Sequence, residues 1–271
     1  MSPDVRSASK GTAIVTGASS GIGEEFARQL AGQGYDLLLI SRREELLRSQ
    51  AQELNLKYGV KVDVMVADLS LPQGIQQVES AIKACPSLQV LVNNAGFGVI
   101  GDFSEVEVSR HLDMISVHVL APVALCRAAI TGMIARHQGA IINVASVAAF
   151  TPLGGSVSYN ATKAYLVTFS QSLAFELQGT GVRVQALCPG FTHTGFHSTP
   201  EFLKGGGLNG VPGFMWMAAP DVVRLSLNAL KHNRVIFVPG FKNQLVVFAS
   251  RIGIISMMRG FIEWWYAKHK K

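Results

Sequence analysis

From Thr12 onward, short apolar runs alternate with longer stretches in which apolar side chains recur at helical spacing. The apolar runs cover 12–16, 35–40, 61–67, 88–92, 140–145, 182–188 and 234–238. Each is rich in Val, Ile or Leu without clean polar alternation, the pattern of strands buried on both faces of a parallel sheet. Between them lie segments of helix length at 21–33, 43–58, 71–84, 105–137 and 156–179. Seven strands wound with helices predict an α/β fold: a doubly wound, mainly parallel seven-stranded sheet with helices on both faces. No internal repeat or low-complexity linker interrupts the pattern, so residues 11–240 are expected to form one domain, between a short polar N-terminus (1–10) and a tail (241–271).

The rhythm breaks at 191–219, where Gly205, Gly206, Gly207, Gly210 and Gly213 mix with Phe214, Met215, Trp216 and Met217. A glycine-rich stretch carrying large apolar side chains reads as a flap that closes over an apolar ligand, with Phe191, Phe214 and Trp216 as substrate contacts; an ordinary surface excursion is the alternative.

Composition narrows the picture. Across 271 residues, 48% hydrophobic against 15% charged supports a sizeable core and excludes general disorder. Cys85, Cys126 and Cys188 are odd in number and set in apolar surroundings, which suits buried thiols in a reducing compartment rather than a disulfide framework. The polar N-terminus lacks a signal-peptide pattern, so a cytoplasmic protein is expected. Of the net charge of +6, residues 241–271 carry +5, which leaves the first 240 nearly neutral and gives nucleic-acid binding by the body no support.

Chemistry enters at the first strand-to-helix turn. There Thr16-Gly17-Ala18-Ser19-Ser20-Gly21-Ile22-Gly23 precedes an amphipathic run. Glycines at such a turn let backbone approach a pyrophosphate, whose charge the helix N-terminus stabilises. In dinucleotide-binding folds of this kind the end of the second strand faces the adenosine ribose, and here it reads Ser41-Arg42-Arg43, with no acid until Glu44. An acid there would accept from ribose hydroxyls and repel phosphate, whereas Arg pairs a phosphate bidentately. NADP(H) is therefore expected, with Arg42 as the main 2′-phosphate ligand, helped by Ser19, Ser20 or Ser41.

A second cluster lies at Tyr159-Asn160-Ala161-Thr162-Lys163. On a helix, residues four apart share a face, so the phenol and the ammonium point at one site. Bringing a phenol of pKa near ~10 close to neutrality needs about 4 kcal/mol, which nearby positive charge can supply. Ser146 ends the fifth strand, where ligands of open α/β sheets bind.

The glycine spacing Gly-x-x-x-Gly-x-Gly, Asp68-Leu69, Asn93-Asn94-Ala95-Gly96, Ser146, Tyr-x-x-x-Lys and Cys188-Pro189-Gly190-Phe191-Thr192-His193-Thr194 together resemble the short-chain dehydrogenase/reductase family over residues 11 to about 240. The resemblance implies a Rossmann-type fold and an oxidoreductase acting on CH–OH groups with NAD(P)+ as acceptor. Gly17, Ser19, Ser20, Gly21, Ile22, Gly23, Asp68, Leu69, Asn94, Ala95, Gly96, Pro189, Gly190, Thr192 and Thr194 would line the cofactor, joined by Tyr159 and Lys163. Ser146 would bind the substrate oxygen, Tyr159 would protonate it during reduction, and Lys163 would lower the Tyr159 pKa and bind the nicotinamide ribose. His118 stands where the family commonly carries Asn, and reads either as holder of a relay water or as a packed helix histidine. His193 and His197 lack metal-ligand spacing and read as flap residues, with no metal expected.

The tail, with its Val238-Pro239-Gly240 start and basic end, is similar to a subgroup that includes 3-oxoacyl and steroid reductases, which implies a hydrophobic ketone, aldehyde or alcohol as substrate. Residues 241–271 are too interrupted by charge to span a bilayer; they are expected to dock on the body or a second subunit, with peripheral membrane contact through Trp264, Trp265, Tyr266 and the final lysines as the alternative. A homodimer or homotetramer follows from the family. A nucleotide-sensing module that keeps the fold without the chemistry is the competing function.

Overall fold

A computed structural model describes residues 9–152, 154–198 and 211–251. Strands β1 (Thr12–Thr16), β2 (Asp36–Ser41), β3 (Val62–Val66), β4 (Leu88–Asn93), β5 (Gly139–Val144), β6 (Val182–Leu187) and the two-residue β9 (Ile236–Phe237) form one sheet in the order β3-β2-β1-β4-β5-β6-β9, every neighbouring pair parallel. The predicted seven-stranded doubly wound sheet is thus present. The chain reverses direction across the sheet between β1 and β4, and loops leaving those two strands diverge to open a crevice.

Helices α1 (Gly21–Gly32), α2 (Glu44–Tyr58) and α7 (Ala219–Lys231) cover one face, and α3 (Pro72–Lys83), α5 (Ala121–Ala135) and α6 (Val157–Glu176) the other. On the first face Phe26, Leu30, Leu39, Leu47 and Val223 are sealed from solvent; on the second, Ile14, Leu91, Leu125, Met133 and Ile141 are. Because both faces are covered, the central strands have no polar side to present, which is why they read as continuous apolar runs; the edge strand β3 exposes Asp63 and Val66.

The segment expected to form one helix at 105–137 differs in a telling way. Helix α4 (Val108–Ile115) continues into α5 through a π-helical turn at Ser116–Leu120. Val108–Ala135 is long and apolar enough to cross a membrane by length and composition, but its Met114, Val117, Ala121, Leu125, Ala129 and Met133 are packed in the core.

Within 191–219, Thr192–His193 (β7) pairs in parallel with Met217–Ala218 (β8), flanked by short 3-10 turns at Gly195–Ser198 and Gly213–Met215; the glycines 205–210 lie outside the described residues. The tail begins as helix α8 (Phe241–Arg251), which docks on the body through buried Asn243 and Val247. The remainder of the tail, including Trp264, Trp265 and Tyr266, lies outside the described residues.

Candidate active site

The turn after β1 is shaped by what surrounds it. Gly17 and Gly21 have positive φ (64° and 62°), a region that costs a residue with a Cβ. A Cβ on Gly23 would lie 2.3 Å from the Gly17 carbonyl oxygen and 2.4 Å from Asn94 Nδ2, so helix α1 starts in direct contact with both loops. Asn94 Nδ2 donates to the Thr16 and Gly17 carbonyls (3.0 and 3.1 Å), and the Thr16 hydroxyl oxygen accepts from the Asn94 and Ala95 N–H groups (3.0 and 3.1 Å). Thr16, which sequence reasoning did not single out, is therefore the pin joining the two sides of the crevice. A Cβ on Gly21 would meet the Thr194 side chain at 2.9 Å, which brings the segment after β6 against the same turn. Gly17, Gly21, Gly23, Asn94, Ala95 and Thr194 converge on this turn. A narrow, side-chain-free turn at a helix start fits a pyrophosphate.

Beyond β2 the two arginines divide their work. Arg43 donates from Nε and Nη2 to Ser19 Oγ (3.0 and 2.7 Å) and from Nη2 to Ser20 Oγ (2.6 Å). Arg42 instead faces Asp68 at 3.8 Å across a cleft also lined by Val66, Ala67, Leu71, Gln73, Gly74 and Gln77. Expectation placed Arg42 at the centre of this cluster; the guanidinium that reaches the serines is Arg43. Ser41 Oγ accepts from the Arg43 N–H (3.1 Å) and so shapes the turn. Burial works against the Asp68 charge, but hydrogen bonds from the Ser70 N–H and hydroxyl and the Arg42 charge hold its carboxyl below the usual range. Leu69 points into the core and is 6% exposed, so its side chain does not line the cleft; Val66 and Leu71 supply the apolar walls instead.

At the carboxyl end of β5, Ser146 has extended backbone and its Oγ accepts from the Ala148 N–H (3.1 Å), while the next N–H, of Val147, donates to the Pro189 carbonyl (3.0 Å). A Cβ on Gly190 would strike Asn243 of α8, which locks the Pro189-Gly190 turn to the tail helix. Thr192 is buried and its hydroxyl donates to the Gly190 carbonyl (3.0 Å).

Tyr159 and Lys163 lie on one face of α6, with Lys163 Nζ 5.7 Å from the Tyr159 ring centre and donating to the Val144 carbonyl (2.8 Å). Tyr159 lines a small cavity with Val99, His111, Met114 and Ser158, and burial raises its phenol pKa, with a hydrogen bond to Ser146 pulling the other way. Burial pushes the Lys163 ammonium down to about 8, opposed by Cys188 nearby. Desolvation therefore favours the protonated phenol, and the shift runs opposite to the lowering expected from Lys163. Ser146, Tyr159 and Lys163 come together as expected.

Behind them runs a buried polar rail. Asn93 Nδ2 donates to Asn143 Oδ1 (2.8 Å), Asn143 Nδ2 to Ser170 Oγ (2.9 Å) and Ser170 Oγ to the Leu166 carbonyl (2.7 Å). It ties β4 and β5 to α6 and so fixes the catalytic helix to the sheet.

His118 sits in the π turn and is 1% exposed. Its Nε2 accepts from the Phe97 N–H (3.2 Å), and its Nδ1 meets Thr162 Oγ1 (3.0 Å). Both ring nitrogens are thus held by protein atoms. Burial, reinforced by Lys163, drives its pKa well below the ordinary value. Among the flap aromatics, Phe191 and Trp216 pack together (5.5 Å between ring centres), and His193 stacks on Trp216 at 4.9 Å. Phe214 is 64% exposed and faces Lys242 (4.7 Å), away from the expected substrate role. Among the described residues, the flap ring that reaches the catalytic tyrosine is Phe196, 6.0 Å from Tyr159, which no spacing in the sequence marked.

Comparison with known proteins agrees with this geometry. The family model for short chain dehydrogenases matches residues 11–201. Inactive hydroxysteroid dehydrogenase-like protein 1 of Homo sapiens is 33% identical over 194 residues, 70% of this chain; the match spans 58% of that relative's length. Among solved structures, a short-chain dehydrogenase from Sphingobium yanoikuyae in complex with NADPH is 29% identical with a TM-score of 0.80, covering 93% of this chain and 95% of the other. A bulky-bulky ketone specific alcohol dehydrogenase from Comamonas testosteroni is 28% identical with a TM-score of 0.77, covering 91% and 94%. With its glycine turn, its Asn94 loop and its Ser146, Tyr159 and Lys163 in one crevice, the chain belongs to the short-chain dehydrogenase/reductase family of oxidoreductases.

Proposed function

We propose that this protein is an NADP(H)-dependent reductase of a hydrophobic ketone or aldehyde, working in the cytoplasm as a homo-oligomer. The observation that carries the reading is the convergence of Tyr159, Ser146 and Lys163, with burial favouring the protonated phenol. When bound, the dinucleotide supplies the hydride. The Gly17–Gly23 turn and the Asn94–Gly96 loop hold its pyrophosphate and nicotinamide ends, and Arg43 with Ser19 and Ser20 takes the 2′-phosphate, with Arg42 and Asp68 at the adenine side. Ser146 orients the carbonyl oxygen by hydrogen bonding, and Tyr159 donates its proton to that oxygen as charge develops there. The Lys163 ammonium stabilises the resulting phenolate. Phe191, Phe196 and Trp216 supply an apolar wall that favours a bulky organic group next to the carbonyl, the kind of ketone for which the Comamonas enzyme is named.

A second reading, a nucleotide-binding module without turnover, draws on the name of the human relative. Here the three reacting side chains are all present and assembled, which favours the enzyme. Tyr159→Phe decides between them: carbonyl-dependent NADPH oxidation should fall by about 10³-fold or more, as removal of a general acid does, with NADPH binding retained. If wild type oxidises no NADPH with aliphatic, aromatic, steroid or acyl-thioester ketones but binds it, the sensing module is the correct reading.

A further inference from the structure

Helix α4 and its π turn present two buried histidines to hydroxyls of α6 on either side of Tyr159. His111 Nδ1 meets Ser158 Oγ at 2.9 Å, and His118 Nδ1 meets Thr162 Oγ1 at 3.0 Å. The second contact belongs to a continuous chain. The Phe97 N–H donates to His118 Nε2 (3.2 Å), and the Thr162 hydroxyl donates to the Tyr159 carbonyl (3.0 Å). Because the Phe97 N–H can only donate, Nε2 must carry a lone pair; because the Thr162 proton goes to the Tyr159 carbonyl, its oxygen must accept from Nδ1–H. One neutral tautomer satisfies every group. The chain connects Phe97, directly after the Asn94–Gly96 loop on the cofactor side, with the helical turn that carries Tyr159. A Cβ on Gly96 would lie 2.8 Å from His118 Nε2 and 3.7 Å from Lys163 Nζ, so the imidazole edge leaves no room for a side chain on this loop. The π turn inserts an extra residue per turn locally, and it is within this turn that the His118 ring is carried inward.

We propose that His118 is a positioning residue, neutral and fixed in its Nδ1–H tautomer, that sets the Tyr159 turn against the Asn94–Gly96 loop through Thr162, and that it relays no proton during the reaction. Taking up a proton at Nε2 would set an N–H against the Phe97 N–H in a buried site, at the cost of an unsatisfied donor. The low pKa imposed by burial and Lys163 agrees with this.

The inference rests on the reductase reading, so its test has one arm that needs no turnover. In the full chain labelled with ¹⁵N-histidine, the His118 ring is expected to show a protonated Nδ1 and an unprotonated Nε2 from about pH 6 to about pH 9, with no titration; Thr162→Val should move the Nδ1–H signal strongly, and Thr162→Ser should restore it. In the activity arm, Thr162→Val should lower kcat about tenfold or more, the size expected for losing one orienting hydrogen bond at a reacting group, with NADPH affinity little changed. Thr162→Ser should recover most of that loss. His118→Phe combined with Thr162→Val should be no slower than the slower single variant, since both break one chain. Should His118→Phe fail to fold, the Thr162 pair and the NMR signals still decide. A His118 ring that titrates in this range, an Nε2–H tautomer, full kcat in Thr162→Val, losses that multiply in the double variant, or a limb of the pH–rate profile that vanishes in His118→Phe would each overturn the proposal. Absence of turnover in wild type with the predicted tautomer intact would refute the reductase reading alone.

Discussion

Arg43 and Arg42 are adjacent in sequence yet face different ligands, because the turn held by the Ser41 hydroxyl rotates one toward the serines of the glycine turn and the other toward Asp68. Charge-assisted hydrogen bonds to phosphate are among the stronger polar contacts, each about 1.5–3 kcal/mol. Arg43→Ala should therefore raise the NADPH dissociation constant about tenfold to a hundredfold with little change for NADH, and Arg42→Ala should do less. Equal losses for both nucleotides would end the NADP assignment. Lys163 gives a second prediction at this scale. Burial lowers its pKa to about 8, so it is charged below that pH and neutral above it, while the raised Tyr159 phenol stays protonated throughout. Reductive kcat/KM should be level near neutrality and fall as pH climbs through about 8. A profile flat up to the ordinary tyrosine value of 10 would contradict this.

Among the elements, the start of α1 is the most constrained, because its first turn presses on two loops at once. Gly23→Ala places a methyl against the Gly17 carbonyl and Asn94, both already fixed by hydrogen bonds, so overpacking should cost about 1–3 kcal/mol. The expected result is a melting temperature lower by several degrees and NADPH binding weakened by about tenfold or more, measured by thermal unfolding and fluorescence titration. Gly154→Ala, which meets no atom within 4 Å and has no positive φ, is the matched control. The π turn is a second element-scale feature: five residues of altered pitch decide that His118 faces the active site.

On the molecular scale, α4 leaves Val108, Leu112 and Ile115 exposed at i, i+4 and i+7, a stripe that the core does not cover, with Leu120 exposed farther along. The Arg110–Asp113 pair flanks it at 3.8 Å, a polar rim that suits a protein partner better than lipid. The homo-oligomer proposed for this family member has its best candidate contact here. Leu112→Asp should shift the chain to a smaller species in sedimentation velocity; an unchanged sedimentation coefficient would place the contact elsewhere.

Much of this was written in the chain. The seven strands and their buried faces follow from apolar runs without polar alternation, because a sheet covered on both sides imposes that pattern wherever it occurs. Ser146, Tyr159 and Lys163 were legible because helical spacing and strand-end position are local properties. What sequence left open depends on long-range packing. That one of two neighbouring arginines finds a partner 24 residues away at Ser19 shows only once β1 and β2 lie side by side, and Leu69 turned inward because the core beneath α3 and α5 claimed it. Phe196 reached Tyr159, and Phe214 turned to Lys242, through the path of a long connection that no periodicity marks. The structural roles of Thr16 and Asn143 emerge only when strands β1, β4 and β5 lie side by side. The pKa of Tyr159 belongs to the same class: its residue type sets the starting value, and only the desolvation created by tertiary packing decides the direction in which it moves.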